Sequence, residues 1–552
     1  MHKIVLRGCA LSAIAFTTIA AAPAPDLLAE RFRGHVGFLA DDLLEGRGLG
    51  SRGHEIAARY VARHFAGLGL QPAGSEGWYQ RIGFAEAKFS GAGETLEFTR
   101  GDTRLVLENA KGMALGPGTR DGAETISGEL VFVGYGLKDA ALGIDDYAGL
   151  DVRGKIVVAL SGAPDSLNSE VGAHLARSMK PAAAEAAGAI GIIQVRSLRE
   201  AARLPWEKFA SRARANPRRL LLGPDGKPLG DGAGLTVRAT ISDEAAATIF
   251  SGSAMDFAAV RDAAAKGSVK GFALTGRVTI NRAQSITRVT SPNVLAMLPG
   301  TDKTLANEIV LISAHLDHVG TKADAKPGED AIYNGAMDNA TGIATLLEAA
   351  TALTAKPPKR SVLFLATTAE ESGLLGADYF SRVPTVDAKR LVAAVNIDMP
   401  ILTCDFGDVV AFGAERSTIG PVVAAAAKAE KLGLSPDPQP EEAVFTRSDH
   451  YPLVRAGVPA VFLKTGWMDV KGGKACQAAE REFRLNSYHE VSDQLSLPFD
   501  WGAAAKWTRL NVGIIRGLAN GRARPLWKAG DYFGEAFAAG QPKAPAAATT
   551  AP

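Results

Sequence analysis

Glu370 and Glu371 stand side by side in SVLFLATTAEESGLLGADYF, where an apolar run gives way to a helical segment. Ahead of them lie His315 and Asp317 in ISAHLDHVG, then Asp338 in NGAMDNATG. Behind them come Asp398 in AAVNIDMP and His489 in NSYHEVSD. Imidazole nitrogen and carboxylate oxygen are zinc donors. One histidine and one terminal carboxylate for each of two ions, with one carboxylate shared, make a dinuclear site. Two ions roughly 3.5–4 Å apart polarise a carbonyl and deprotonate a water together. A further carboxylate must then carry that water's proton to the leaving amine. Only one of Glu370 and Glu371 is needed as a ligand, so the chain has such a spare acid. Asp317, two residues after His315, is able to hold the imidazole N–H and fix its tautomer. The set is that of a metallohydrolase.

Taken singly, each of these residues is commonplace. Adjacent acids at a helix start favour the dipole, and an Asp before a helix is ordinarily a cap. Their shared address is what distinguishes them. His315 follows the apolar IVLISA, Glu370 and Glu371 follow VLFLATT, and Asp398 follows VAAVNI. Each therefore lies just past the carboxyl end of an expected strand, the edge where open α/β sheets bind ligands. Asp338 opens the following helix, and His489 lies on a late loop.

From about Val289 onward strands alternate with helices, which predicts a parallel sheet with crossovers. The strands are NEIVLISA, SVLFLATT, LVAAVNID and VPAVFLKT, and TGIATLLEAATAL is a helix between the first two. Near the amino end HEIAARYVARHFAGLGL puts Ile56, Tyr60, Val61, Phe65 and Leu68 on one helix face. His64 in this segment is a helix residue, not a ligand. Between these parts, GELVFVGYGL and GKIVVALSG are short β runs bounded by glycine, and the basic SLREAARLPWEKFASRARANPRRL is a solvated face. The expected division is 26–124 as the first part of the catalytic domain, 125–285 as a β-rich insert, 286–534 as the rest of the catalytic domain, and 535–552 as a disordered, low-complexity tail.

A chain of 552 residues, 47% hydrophobic and 22% charged, is a soluble globular protein of more than one domain. Its net charge of +2 gives no reason to expect nucleic acid or an anionic membrane as partner. Lys3 and Arg7 followed by CALSAIAFTTIAAA form an export signal over 1–22. The expected location is periplasmic or secreted, with no stable membrane anchor. Cys404 and Cys476 remain after cleavage. An oxidising compartment would let them pair, and the sequence leaves open whether they are close enough to do so.

HLD, DNATG, EESGLLG, the strand ending in NID, and YHEVSD resemble the secreted co-catalytic dizinc aminopeptidases. That family also includes glutamate carboxypeptidase II, plasma carboxypeptidases and glutaminyl cyclases. The likeness covers most of the mature chain. It implies an α/β fold with a mixed, mostly parallel central sheet flanked by helices. It also implies two zinc ions per chain and peptide substrates. His315 and Asp398 would share one ion, Glu371 and His489 the other, with Asp338 bridging. Glu370 would be the general base and acid, and Asp317 the partner of His315. Residues 125–285 resemble the protease-associated domain inserted in many members. LADDLLEGRGLGSRG resembles the opening of insert-bearing bacterial members, and would join the catalytic domain in space.

FTRSDHYPLVRAGVPAVFL resembles the substrate side of the same members, which makes Arg447, Asp449 and His450 candidates for substrate contact. Many members carry a tyrosine just before Arg-Ser-Asp-His; here Thr446 stands there, after Phe445. His318 is expected at the pocket edge, not as a third imidazole ligand. The resemblance favours an aminopeptidase. A carboxypeptidase or dipeptidase on the same site would need an arginine patch for the substrate carboxylate, for which Arg447 is a candidate. A catalytically silent relative such as the transferrin receptor would have lost ligands, and here every expected ligand and the base are present.

Overall fold

The strands that carry the candidate donors lie side by side in a computed structural model that describes residues 26–215 and 217–546. The export signal expected over 1–22 lies outside these residues. The strands are β1 (Tyr79–Phe89), β2 (Phe272–Leu298), β3 (Ile309–His315), β4 (Ser361–Thr367), β5 (Leu391–Ile397), β6 (Asp408–Phe412), β7 (Gly433–Ser435) and β8 (Ala460–Thr465). Their order is β1-β2-β4-β3-β5-β8-β6-β7. The central β4, β3, β5 and β8 run parallel, and antiparallel pairings at β1–β2, β2–β4 and β8–β6 flank them.

Every residue of β3, β4 and β5 is buried, as continuous apolar strands require when helices cover both sheet faces. On one face Val310, Ile312, Val362 and Phe364 share a core with Val36 of α1 (Leu27–Leu39), Phe65 of α2 (Arg52–Gly67) and Leu347 of α3 (Thr341–Ala355). On the other face Leu311, Leu363 and Leu365 share a core with Phe380 of α4 (Leu375–Arg382) and Leu453 of α5 (His450–Arg455). Two later helices, α6 (Ala475–Asn486) and α7 (Trp501–Asn520), complete the frame. Among the described residues no helix is long and apolar enough to cross a membrane.

The insert is larger than the sequence division of 125–285 allows. The first half of β2 pairs with Gly122–Phe132 and also with Thr95–Arg100, which in turn pairs with Thr103–Glu108. Met113–Leu115 pairs with Val237–Ile241. Residues 95–115 thus belong to the insert's sheet, not to the first part of the catalytic domain. The expected boundary at 285 falls inside β2, one continuous 27-residue strand that joins the two groups of strands into a single sheet. Local patterning shows where strands are, not which sheet they join.

Polar contacts clasp the insert to the catalytic side. Asp231 pairs with Arg382 and Arg455, Glu442 with Arg203, and Tyr532 Oη donates to Asp139 Oδ2 at 2.6 Å. The tail also departs from expectation, since 535–546 is ordered and not a disordered tail. Phe537 stacks near Phe533, which packs on Tyr451, and Ala544 exchanges backbone hydrogen bonds with Trp527 and Ala529. The aromatic anchors upstream hold a segment whose own composition is too poor to fold.

Two features fix the loops at the carboxyl edge of the sheet. Arg47 of LEGRG is buried, and its guanidinium donates to the carbonyls of Leu316 (2.9 Å), Asn334 (2.6 Å), Gly335 (3.0 Å) and Leu39. Cys404, in the loop after β5, is disulfide-bonded to Cys476 in α6, across 72 residues.

Replacing Arg47 with Met leaves buried carbonyls without donors, each costing about 1–3 kcal/mol. The expected outcome is a destabilisation of ~3 kcal/mol or more in urea unfolding, with Arg47→Lys recovering only part because one ammonium cannot match the fork. Cys404→Ser combined with Cys476→Ser is expected to lower stability by up to about 4 kcal/mol on loop-closure grounds. An unchanged unfolding midpoint in either variant would refute the corresponding role.

Candidate metal centre

The last residue of β3 is His315, and its Nδ1–H donates to the backbone carbonyl of Asp317 at 3.1 Å. That bond turns Nε2 toward the carboxyl edge, 3.2 Å from Asp338 Oδ1 and 3.3 Å from Asp398 Oδ1. Asp398 follows β5 directly. Its other oxygen, Oδ2, accepts from Ser448 Oγ at 2.6 Å, at the end of a chain running Ser313, Asn396, Ser448. Lys464 of β8 pins the backbone there, donating to the carbonyls of Asp398 and Met399 at 2.8 and 3.1 Å.

The second cluster shares Asp338. His489 Nε2 lies 3.2 Å from Asp338 Oδ2 and 3.1 Å from Glu371 Oε2. His489 follows α6, so the Cys404–Cys476 bond ties its helix to the loop beyond Asp398.

Asp338 lies in the turn 334–340 that leads into α3 and has little regular structure of its own. Its backbone N–H and that of Met337 donate to the Asp493 carboxylate at 3.0 and 2.8 Å. Next door, Asn339 Nδ2 donates to the carbonyl of Ile397 at 3.1 Å and Oδ1 accepts from the N–H of Met399 at 2.9 Å. One amide thus ties the Asp338 turn to the end of β5.

The acids divide into two electrostatic classes. Burial opposes ionisation of Asp338, but its bonds to His315 and His489 hold it well below the usual carboxylate range. Burial likewise opposes Asp398, yet Lys464 and His315 bring it down to about 2. Glu370 goes the other way: burial, together with the charges of Asp398, Glu371 and Asp449, outweighs His315 and holds its carboxyl well above the usual range. Among the described residues the Glu370 carboxylate has no hydrogen bond or ion pair, and it borders two cavities. One, of about 320 Å³, is also lined by His315, Asp338, Asp398, Arg447 and His489. The other, of about 500 Å³, runs past Glu371 and Arg447 to Arg219 and Asp231 of the insert.

The donor set fits zinc. Bonds of roughly 2.0–2.1 Å at tetrahedral angles put neighbouring ligand atoms about 3.3 Å apart, close to the 3.1–3.3 Å between each histidine and its two carboxylates; His318 also lies within ligand distance of Asp338 and Glu371. Several carboxylates are enclosed together here, an environment that favours a cation between them.

Four sequence expectations change. The carboxylate of Asp317 does not hold His315; its oxygens accept from the N–H groups of Glu370 (3.1 Å) and Glu371 (3.4 Å), and the tautomer is set by its backbone carbonyl instead. A side chain two residues on in an extended segment points along the same edge, toward the next loop. Asp449 and His450 are not substrate contacts. Both are 0% exposed; Asp449 accepts from Thr367 Oγ1, and His450 Nε2 donates to the Phe445 carbonyl. Arg447 does face the cavities, paired with Glu442 at 2.9 Å. His318 is not at the pocket edge but buried, with Nδ1 2.7 Å from Glu371 Oε1. Sequence reasoning passed over Arg47, Asn339, Lys464 and Asp493. Asn339 and Asp493 sit inside the DNATG and YHEVSD motifs, which was the available signal.

Residues 293–515 match the model of peptidase family M28. Leucine aminopeptidase 2 of Trichophyton equinum is 31% identical over 240 residues, 40% of this chain and 43% of that protein. Leupeptin-inactivating enzyme 1 of Streptomyces exfoliatus is 29% identical over 218 residues, 38% of this chain and 44% of that protein. The chain thus spans less than half the length of these relatives. An aminopeptidase from Aneurinibacillus sp. strain AM-1 shares the fold with a TM-score of 0.50 at 19% identity, covering 91% of this chain and 97% of that one. The matched residues 293–515 carry every donor of both clusters.

Proposed function

We propose that this chain is an exported two-zinc aminopeptidase, removing residues from the free amino ends of peptides. The observation that carries the proposal is Asp338, whose two carboxylate oxygens each lie 3.2 Å from a different histidine. A carboxylate so placed is shared by two half-sites. His315 and Asp398 complete one; His489 and Glu371 complete the other. Zinc held there supplies Lewis acidity, lowering the pKa of water and polarising a carbonyl oxygen.

Glu370 is the residue left to move protons. It is unpaired, it borders both cavities, and its environment favours the protonated form more than that of its ligand neighbours, the division expected between an acid–base residue and fixed charges. Its carboxylate takes a proton from the attacking water and returns it to the nitrogen of the departing amine. Asp317 keeps Glu370 in place by accepting from its backbone N–H. The Trichophyton equinum relative, named a leucine aminopeptidase, supports action at the amino end. The insert, which walls the larger cavity with Arg219 and Asp231, fits the part of a protease-associated lid. Export rests on the segment Lys3–Ala22 and agrees with the Cys404–Cys476 disulfide.

Zinc-loaded protein incubated with a peptide and its N-acetylated twin is expected to shorten only the free peptide, one residue at a time from the amino end. Loss from the carboxyl end of both would replace the aminopeptidase with a carboxypeptidase. Glu370→Gln is expected to lower kcat by about 10²–10⁴ while binding as much zinc as the parent; near-normal turnover would remove Glu370 from the proton path. Asp338→Ala is expected to bind neither ion tightly, and full two-zinc occupancy in elemental analysis would rule out sharing.

A further inference from the structure

His318 has no task in the mechanism above. It is 2% exposed, and its ring lies 5.7 Å from that of His489. Among the described residues neither of its ring nitrogens has an aligned hydrogen-bond partner, and the same is true of Glu371 Oε1. These orphaned atoms lie close together: Nδ1 of His318 is 2.7 Å from Oε1 of Glu371, with the N–H off the line to that oxygen. A small turn of the ring aligns the pair, and each then supplies what the other lacks. The remaining oxygen of Glu371, Oε2, points the other way, 3.1 Å from His489 Nε2.

We infer that His318 is a positioning residue for the ion held by Glu371 and His489, donating Nδ1–H to Glu371 Oε1 so that Oε2 alone is presented to the metal; this rests on the two-zinc reading. A lone carboxylate on a two-carbon stem turns easily, and its two oxygens compete for one ion. A donor on the outer oxygen removes that freedom. The ring is itself held. A Cβ at Gly335 would come within 2.6 Å of His318 Cγ and Cδ2, so the imidazole lies directly on that glycine. The backbone N–H of His318 donates to the carbonyl of Arg47 at 3.3 Å, and the Gly335 carbonyl accepts from the Arg47 side chain at 3.0 Å. Ring and platform are thus tied to the same residue. Partners of ligands in this position typically change metal affinity by roughly 10–100-fold.

The test is a zinc titration of the full mature protein against a chromogenic chelator, which yields two stepwise affinities. His318→Leu and His318→Ala remove the donor. His318→Asn puts an amide N–H near the place of Nδ1, but is a poor zinc ligand. The expected result is a weakening of one ion by roughly 10–100-fold in the Leu or Ala variant, the other ion little changed, and recovery of the weakened ion with Asn. A folded control by circular dichroism accompanies each. Two unchanged affinities would overturn the inference, as would equal loss of both ions. An Asn variant as weak as Leu would also overturn it, showing that the imidazole binds the metal instead of the carboxylate. Parent protein that takes up no zinc would overturn the two-zinc reading itself, a result separate from any of these.

Discussion

Asp338 can face two histidines at once only if the turn that carries it is held from outside. Residues 334–340 have no strand partner, and their polar groups would otherwise turn to water. The restraints come from distant parts of the chain: Arg47 on the carbonyls of Asn334 and Gly335, Asp493 on the N–H groups of Met337 and Asp338, and Asn339 on the end of β5. Arg47 also binds the carbonyl of Leu316, between His315 and Asp317. One guanidinium therefore sets the distance between the loop that delivers the first imidazole and the turn that delivers the shared carboxylate. Arginine suits this because its planar fork serves several acceptors with one side chain.

The same logic explains the backbone near the site. Ala369, Met399 and His489 all have left-handed φ, at 58°, 46° and 59°, and they stand beside Glu370 and Asp398 or carry a donor themselves. Such conformations cost about 1–3 kcal/mol each in residues with a Cβ. They bend the chain beside the donors in a way that extended or helical backbone would not. The packed strands beneath, buried on both faces, supply the rigidity that sustains the strain.

Much of this was legible in the sequence, and the parts that were not share a cause. Strands β3, β4, β5 and β8 lie where their apolar runs predict, because a strand buried on both faces leaves an uninterrupted apolar signature. His315, Glu371 and Asp398 stand out in the sequence because they end or follow those runs, whereas Asp338 and His489 do not. What escaped were relations between segments far apart in the chain. Nothing in HLD says that the Asp317 side chain turns to the N–H groups of Glu370 and Glu371 and leaves His315 to the backbone. Nothing near 95–100 says that this strand joins the first half of β2. Asp449 and His450 sit in a motif beside the site, yet α5 carries them under its floor. Adjacency in sequence identified the neighbourhood, and packing decided which face each side chain takes.

The division among the acids ties the fold to the chemistry. Asp338 and Asp398 have imidazole or ammonium partners and stay ionised despite burial. Glu370 has none, and its neighbours are mostly of its own sign. The difference between Glu370 and Glu371 is one residue of chain, but on a turn that moves one carboxylate toward His489 and leaves the other bordering both cavities. Two chemically identical side chains thus acquire separate surroundings, and the Asp317 carboxylate accepts from both of their N–H groups and so holds the turn between them. A ligand must be held ionised, and a proton carrier must be able to change state. On the proposed two-zinc reading the loop after β4 would meet both demands in adjacent positions, because the partners that make the distinction come from elsewhere in the chain.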